Sequence, residues 1–183
     1  MSQAESLVLP TTVWFTGLPA SGKSSLSKLL AERLELQEIE SAIFDGDVVR
    51  AEHAERLGFS PDHRHQQASR VTAMALDLAQ QGSLAIVALV SPFATDRSAA
   101  RSAHEAAGVR FIEVYMATPL AICEARDPKG HYAKARSGEL QEFTGISSPY
   151  DVPRNPELSV DTSVEDLESS VERLMELVTQ QPR

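Results

Sequence analysis

A single cysteine, Cys123, stands in 183 residues, so no disulfide can form within the chain. That scarcity suits a reducing compartment. Its apolar neighbours Leu120 and Ile122 predict a core position for Cys123 rather than a reactive thiol. No apolar run approaches the ~20 residues that cross a bilayer, and the first residues lack a basic stretch followed by an apolar one. A protein of the cytoplasm, bound to no membrane, is expected. Basic runs are also missing: 17 Lys and Arg face 26 Asp and Glu, for a formal charge of −9. A surface that follows a nucleic-acid backbone needs the opposite balance, so nucleic acid is excluded as a partner and a small anionic substrate is favoured. The 5 histidines form no metal site: His63 and His65, two apart on an expected helix, point to different faces.

What is present begins with Gly17-Leu18-Pro19-Ala20-Ser21-Gly22-Lys23-Ser24, which fits the phosphate-binding pattern G-x-x-x-x-G-K-[ST] at every fixed position. Residues 13–16 before it read as a buried strand. Residues 25–34 after it carry Leu26, Leu29, Leu30 and Leu34 at helical spacing. In a strand, loop and helix of this kind, backbone N–H groups curl around a phosphate at the positive end of the helix dipole. Lys23 is expected to reach the β- and γ-phosphates of a nucleotide, and the Ser24 hydroxyl to bind Mg²⁺.

The rest of the chain alternates in the same way. Residues 42–44, 84–90 and 110–116 read as further buried strands. Ser60 as N-cap and Pro61 at the first position open a helix ending near Gly82. Thr118-Pro119 repeats that grammar before a helix over 120–126. Ser163 with Asp166 reads as a variant capping box opening a last amphipathic helix through Val164, Leu167, Val171, Leu174 and Val178. The expected architecture is one α/β domain over residues 1–183: a three-layer α/β/α P-loop NTPase fold with a mainly parallel sheet. Such sheets bind ligands at the C-terminal ends of their strands. Residues 127–156 show little periodicity but contain Lys129, Lys134, Arg136 and the block Phe143-Thr144-Gly145-Ile146. A stretch of that length is expected to be a mobile lid over bound phosphates, the alternative being an ordinary surface loop.

Several residues at the strand ends carry chemistry. Asp45 and Asp47, with Gly46 allowing a tight turn, are expected to face the phosphate loop. One would hold a Mg²⁺-bound water, and Asp47 would accept the proton of an acceptor hydroxyl. Arg50, one helical turn on, can pair with an anionic substrate. Leu57-Gly58-Phe59-Ser60 with Arg64 and Arg70 offers an aromatic face and guanidinium groups suited to a base and to phosphate or sulfate. Spacing alone leaves open whether Phe59 only staples the helix start. Ser91, ending the strand over 84–90, is expected at the ligand edge, as a hydrogen-bonding group or a phosphorylation site. Asp96 and Arg97 begin a helix, as cap or as catalytic groups.

Together these blocks resemble the adenylylsulfate kinases, which phosphorylate the ribose 3′-hydroxyl of adenosine 5′-phosphosulfate with MgATP. The resemblance runs from about Thr12 to Leu158 through the phosphate loop, Asp45-Gly46-Asp47-Val48-Val49-Arg50, Leu57-Gly58-Phe59-Ser60, Ser91-Pro92-Phe93, Asp127-Pro128-Lys129-Gly130 and Phe143-Thr144-Gly145-Ile146. It implies a dimeric P-loop kinase with ATP and Mg²⁺ as cofactors. The ATP-binding residues expected are Gly17, Leu18, Pro19, Ala20, Ser21, Gly22, Lys23, Ser24, Ser25 and Arg126. The catalytic set is Lys23, Asp45, Asp47 and Ser91, with Ser24 and Asp45 serving the metal, Asp45 through water. Substrate contacts fall to Asp47, Arg50, Phe59, Arg64, Gln67, Ser91, Lys129, Gln141, Phe143 and Thr144, with Phe59 and Phe143 clamping the adenine. The chain departs from the family pattern at His63 for aspartate, Gln67 for asparagine, Ser69 for arginine, His131 for leucine and Gln141 for lysine. Losing two basic side chains near an anion removes charge-assisted hydrogen bonds worth about 1.5–3 kcal/mol each. Two other readings follow from these departures. One is a kinase acting on another nucleotide-like anion. The other is a non-catalytic binding module, whose signature would be loss of Lys23, Ser24, Asp45 or Asp47; all four are present.

Overall fold

In the computed structural model, residues 9–51 and 58–180 are described, with only the backbone of residues 50 and 51. The central strand, β1 (Thr11–Gly17), is buried along its whole length. Its side chains alternate between two cores, as the two-residue period of a strand requires. Val13 and Phe15 face helices α1 (Lys23–Glu35) and α7 (Leu167–Thr179), packing with Leu26, Leu30, Leu174 and Val178. Trp14 faces the opposite side, packing with Val71 and Ala75 of α3 (Pro61–Gln80) and Ala100 of α4 (Ala94–Ala106). Helices on both faces explain the unbroken apolar run.

The sheet has five strands in the order β2-β3-β1-β4-β5, all parallel. Here β2 is Ser41–Asp45, β3 is Leu84–Ala88, β4 is Arg110–Met116 and β5 is Leu158–Val160. This is the α/β/α arrangement expected, with three refinements. Strand β2 lies at the edge and is only half-buried, with Ala42 exposed. Strand β3 ends two residues earlier than its apolar run. Strand β5 has three residues, too few to register as a period.

Local capping follows the sequence at one helix and departs from it at two. The Ser60 hydroxyl accepts the His63 N–H (3.3 Å) and Pro61 occupies the first turn of α3. Thr118 does not repeat this. Helix α5 (Leu120–Arg126) has Pro119 at its N-cap, and the Thr118 hydroxyl instead donates to the Ser21 carbonyl (3.1 Å). Cys123 is fully buried, but its neighbour Ile122 is 37% exposed. Helix α7 is capped at its N-terminus by Asp166, whose carboxylate accepts the Ser169 N–H (2.8 Å). Ser163 turns back to Asp161, and Val164 is 83% exposed, outside the helix. Within 127–156, where irregular structure was expected, a short helix α6 (His131–Arg136) builds a small core of Cys123, Tyr132, Ala135 and Phe143.

Candidate functional site

The loop after β1 turns on glycine. Gly17 has φ 147°, and a Cβ there would meet the Met116 carbonyl at 2.8 Å. Gly22 caps α1 with φ 102°, a conformation glycine adopts without steric cost. The loop is braced from behind, where the hydroxyls of Thr118 (3.1 Å) and Thr162 (3.2 Å) both donate to the Ser21 carbonyl. Lys23 curls over the front. Its Nζ donates to the carbonyls of Gly17 (3.0 Å) and Leu18 (2.7 Å). Burial pulls its pKa down to about 8, against the opposing pull of acidic neighbours such as Asp45 and Asp47. A desolvated ammonium that is still mostly charged at pH 7 gains strongly from an anion placed beside it.

Beside it, the Ser24 hydroxyl donates to Asp45 Oδ2 (2.7 Å), and Asp45 Oδ1 accepts the Asp47 N–H (2.9 Å). Gly46 therefore does not form a free-standing turn; it opens α2 (Gly46–Ala51), with Asp47 in the first turn. The Asp47 carboxylate is ion-paired with Lys129. A hydroxyl and a carboxylate in contact are hard oxygen donors, a set that fits Mg²⁺ shared with phosphate and water. Among the described residues no cluster of three or more His, Cys, Asp or Glu is arranged to hold a metal by itself.

These groups line one cavity of about 870 Å³. Its walls include Lys23, Ser24, Asp45, Asp47, Phe59 and Arg64 from the sheet side, and Arg126, Lys129, His131 and Phe143 from residues 126–143. Arg126 is held by Thr162, through the Oγ1 (2.7 Å) and the carbonyl (2.9 Å). Arg64 is 7% exposed, with its guanidinium 5.5 Å from the Phe59 ring. Phe59 and Phe143 stand edge to face, 6.4 Å apart. Tyr132 joins the two ends of the cavity: its hydroxyl donates to the Pro19 carbonyl of the loop (2.9 Å) and its ring meets Phe143 at 4.9 Å.

Most of the expected site residues converge here, but several do not. Pro19, Ala20, Gly22 and Ser25 line the cavity, whereas Ser21 is buried beneath the loop and Leu18 faces a second cavity of about 580 Å³. Gln67 lies behind the wall, donating to the Gly46 carbonyl (2.8 Å). Ser91 was expected at the ligand edge, yet it is 5% exposed and its hydroxyl accepts the Trp14 indole N–H (3.1 Å). The cause is a left-handed backbone (φ 41°), which turns its side chain inward; Arg97 holds its carbonyl at 2.7 Å. Arg97 and Asp96 are not caps. Arg97 is 4% exposed and pairs with Glu113 of β4 (2.8 Å), while Asp96 meets His65. The Arg97 guanidinium also donates to the Asp151 carbonyl (2.6 Å). Gln141 is exposed and Thr144 fully buried, neither lining the cavity. The side chain of Arg50, and all of Leu57, lie outside the described residues. Tyr132 and Thr162 were not expected; neither sits in a motif that spacing alone would single out.

A phosphate loop at the end of the central strand of a five-stranded parallel sheet, with Asp45 ending the edge strand, defines a P-loop nucleotide-binding domain. Its relatives narrow the class. The adenylylsulphate kinase family model matches residues 9–161. The adenylyl-sulfate kinase of Staphylococcus epidermidis is 44% identical over 163 residues, 89% of this chain and 81% of that protein. The bifunctional enzyme CysN/CysC of Mycobacterium tuberculosis is 46% identical over 90% of this chain, which spans only 27% of that longer protein. The solved structure of the Mycobacterium tuberculosis APS kinase CysC in complex with AMPPNP and APS has a TM-score of 0.89 at 42% identity, covering 93% of this chain and 98% of that one. The chain belongs to the adenylylsulphate kinase family.

Proposed function

We propose that this chain transfers the γ-phosphoryl group of ATP to the ribose 3′-hydroxyl of adenosine 5′-phosphosulfate. The observation that carries the reading is the continuity of one cavity from Lys23 and Ser24 to Phe59, Arg64 and Phe143. Donor phosphates and an aromatic-walled acceptor site then share one space, and phosphoryl transfer requires little beyond such positioning and charge neutralisation. The loop N–H groups and Lys23 hold the β- and γ-phosphates, and Arg126 borders the nucleotide. Ser24, and Asp45 through water, would hold Mg²⁺, which when bound would neutralise charge on the phosphates. Asp47 receives the proton as the acceptor oxygen bonds to the γ-phosphorus and the bond to the β-bridging oxygen breaks, releasing ADP. Arg64 and Lys129 attract the acceptor's anionic groups, and Phe59 and Phe143 pack against its base. Ser91, committed to Trp14, has no direct part.

The same proposal takes residues 127–156 as a lid, the whole chain as one unit that pairs into a homodimer, and the cytoplasm as its place. Among the described residues no helix is long and apolar enough to cross a membrane. Light scattering tests the dimer. The function is tested by ADP release with MgATP in the presence of adenosine 5′-phosphosulfate, AMP or no acceptor, with mass measurement of the product. Turnover dependent on the sulfated nucleotide, with one phosphoryl group added, is the expected result; equal turnover without an acceptor refutes it.

A further inference from the structure

Three rings, not two, meet on the acceptor side of the cavity. His131 stands edge-on to Phe59 (6.3 Å, 70°) and to Phe143 (6.2 Å, 79°), while the two phenylalanines are edge-on to each other (6.4 Å, 70°). A base stacked between two rings needs them parallel and about 7–8 Å apart, two van der Waals separations. The triangle therefore has to open by ring rotation. Phe143 is 1% exposed and braced by Tyr132, and Phe59 carries the Arg64 guanidinium, whose Nε donates to the Phe59 carbonyl (3.0 Å). His131 differs in kind. Its backbone is anchored at the start of α6, where the Asp127 carboxylate accepts the N–H groups of Tyr132 (3.1 Å) and Ala133 (3.0 Å). Its ring is half-buried, and neither ring nitrogen hydrogen-bonds with a described residue. Of the three rings it alone has heteroatoms, a donor and an acceptor in the ring plane. The leucine that the family pattern carries at this position fills space and offers no hydrogen bond.

We infer that His131 is a specificity-determining residue, hydrogen-bonding the edge of the acceptor's purine while Phe59 and Phe143 cover its faces. This rests on the function proposed above. The test compares the unsubstituted chain with His131→Leu, His131→Phe and His131→Gln, varying adenosine 5′-phosphosulfate at saturating MgATP and then the reverse. Loss of one neutral hydrogen bond predicts an acceptor KM about 3–10-fold higher in the Leu and Phe variants. The KM for ATP stays in place, and Gln, which keeps in-plane donor and acceptor groups, recovers most of the loss. Preference for the adenine acceptor over its hypoxanthine analogue, which differs only at the base edge, narrows in His131→Leu. An acceptor KM within about twofold of the unsubstituted value in His131→Leu overturns the inference. So does full recovery by Phe, which would assign the effect to packing. Turnover by the unsubstituted chain tests the proposed function separately. If turnover is absent, calorimetric titration of adenosine 5′-phosphosulfate in MgADP decides: about 3–10-fold weaker binding by His131→Leu than by the unsubstituted chain supports the inference, equal binding overturns it, and no binding by any form overturns both readings.

Discussion

Lys23 makes nucleotide binding a proton-linked event. Burial holds its pKa near 8 in the free protein, so about a tenth of the molecules lack the Lys23 proton at pH 7, half at pH 8 and nine-tenths at pH 9. Triphosphate oxygens against Nζ favour the charged form and raise the pKa again. Binding of MgATP, itself fully deprotonated over most of this range, must then take up about 0.1, 0.5 and 0.9 protons at the three pH values. Affinity falls correspondingly, by about tenfold between pH 7 and pH 9, because the proton has to be supplied from increasingly dilute solution. Calorimetry at each pH in two buffers of different ionisation enthalpy measures the uptake directly. Lys23→Met should bind more weakly and show no uptake. Uptake that fails to grow with pH, or that survives in Lys23→Met, would refute the assignment of this linkage to Lys23.

Two further predictions concern single side chains. Asp45→Asn keeps the shape that meets the Ser24 hydroxyl but removes the charge, so the Mg²⁺ concentration for half-maximal turnover should rise about 10–100-fold; a titration with free Mg²⁺ at fixed MgATP that leaves this midpoint unchanged would remove Asp45 from the metal site. Arg97→Ala leaves Glu113 buried without its closest partner and should cost about 3–5 kcal/mol, seen as a fall in Tm of about 6–20 °C by calorimetry, whereas Arg97→Met with Glu113→Leu should recover much of it; a double variant no more stable than the single one argues against an uncompensated charge as the cause.

What could be read from the chain was what neighbours in sequence decide together. The phosphate loop, its strand and its helix are contiguous, so spacing, glycine and leucine periodicity all spoke for one geometry. The acidic pair after β2 was placed for the same reason. Residues whose role depends on distant partners were invisible or misplaced. Thr162 matters because it meets Thr118 and Arg126 across the top of β5, itself too short to show a period. Tyr132 sits in a segment that reads as irregular, and only folding reveals that it touches Pro19. Ser91 stands at the expected strand end but faces inward, since nothing local announces a left-handed serine held by Arg97.

The stretch from Asp127 to Asp151 is buckled at both ends. At one, Arg126 grips Thr162; at the other, Asp151 accepts from Arg97 and from the Ala94 N–H (3.0 Å) and donates its own N–H to the Pro92 carbonyl (2.8 Å). A strap fastened at both ends, and tied between them by Lys129 to Asp47 and by Tyr132 to Pro19, cannot swing away like a door. Substrates and products would then pass beneath an arch whose feet stay planted, one beside the end of β5 and the other at the start of α4.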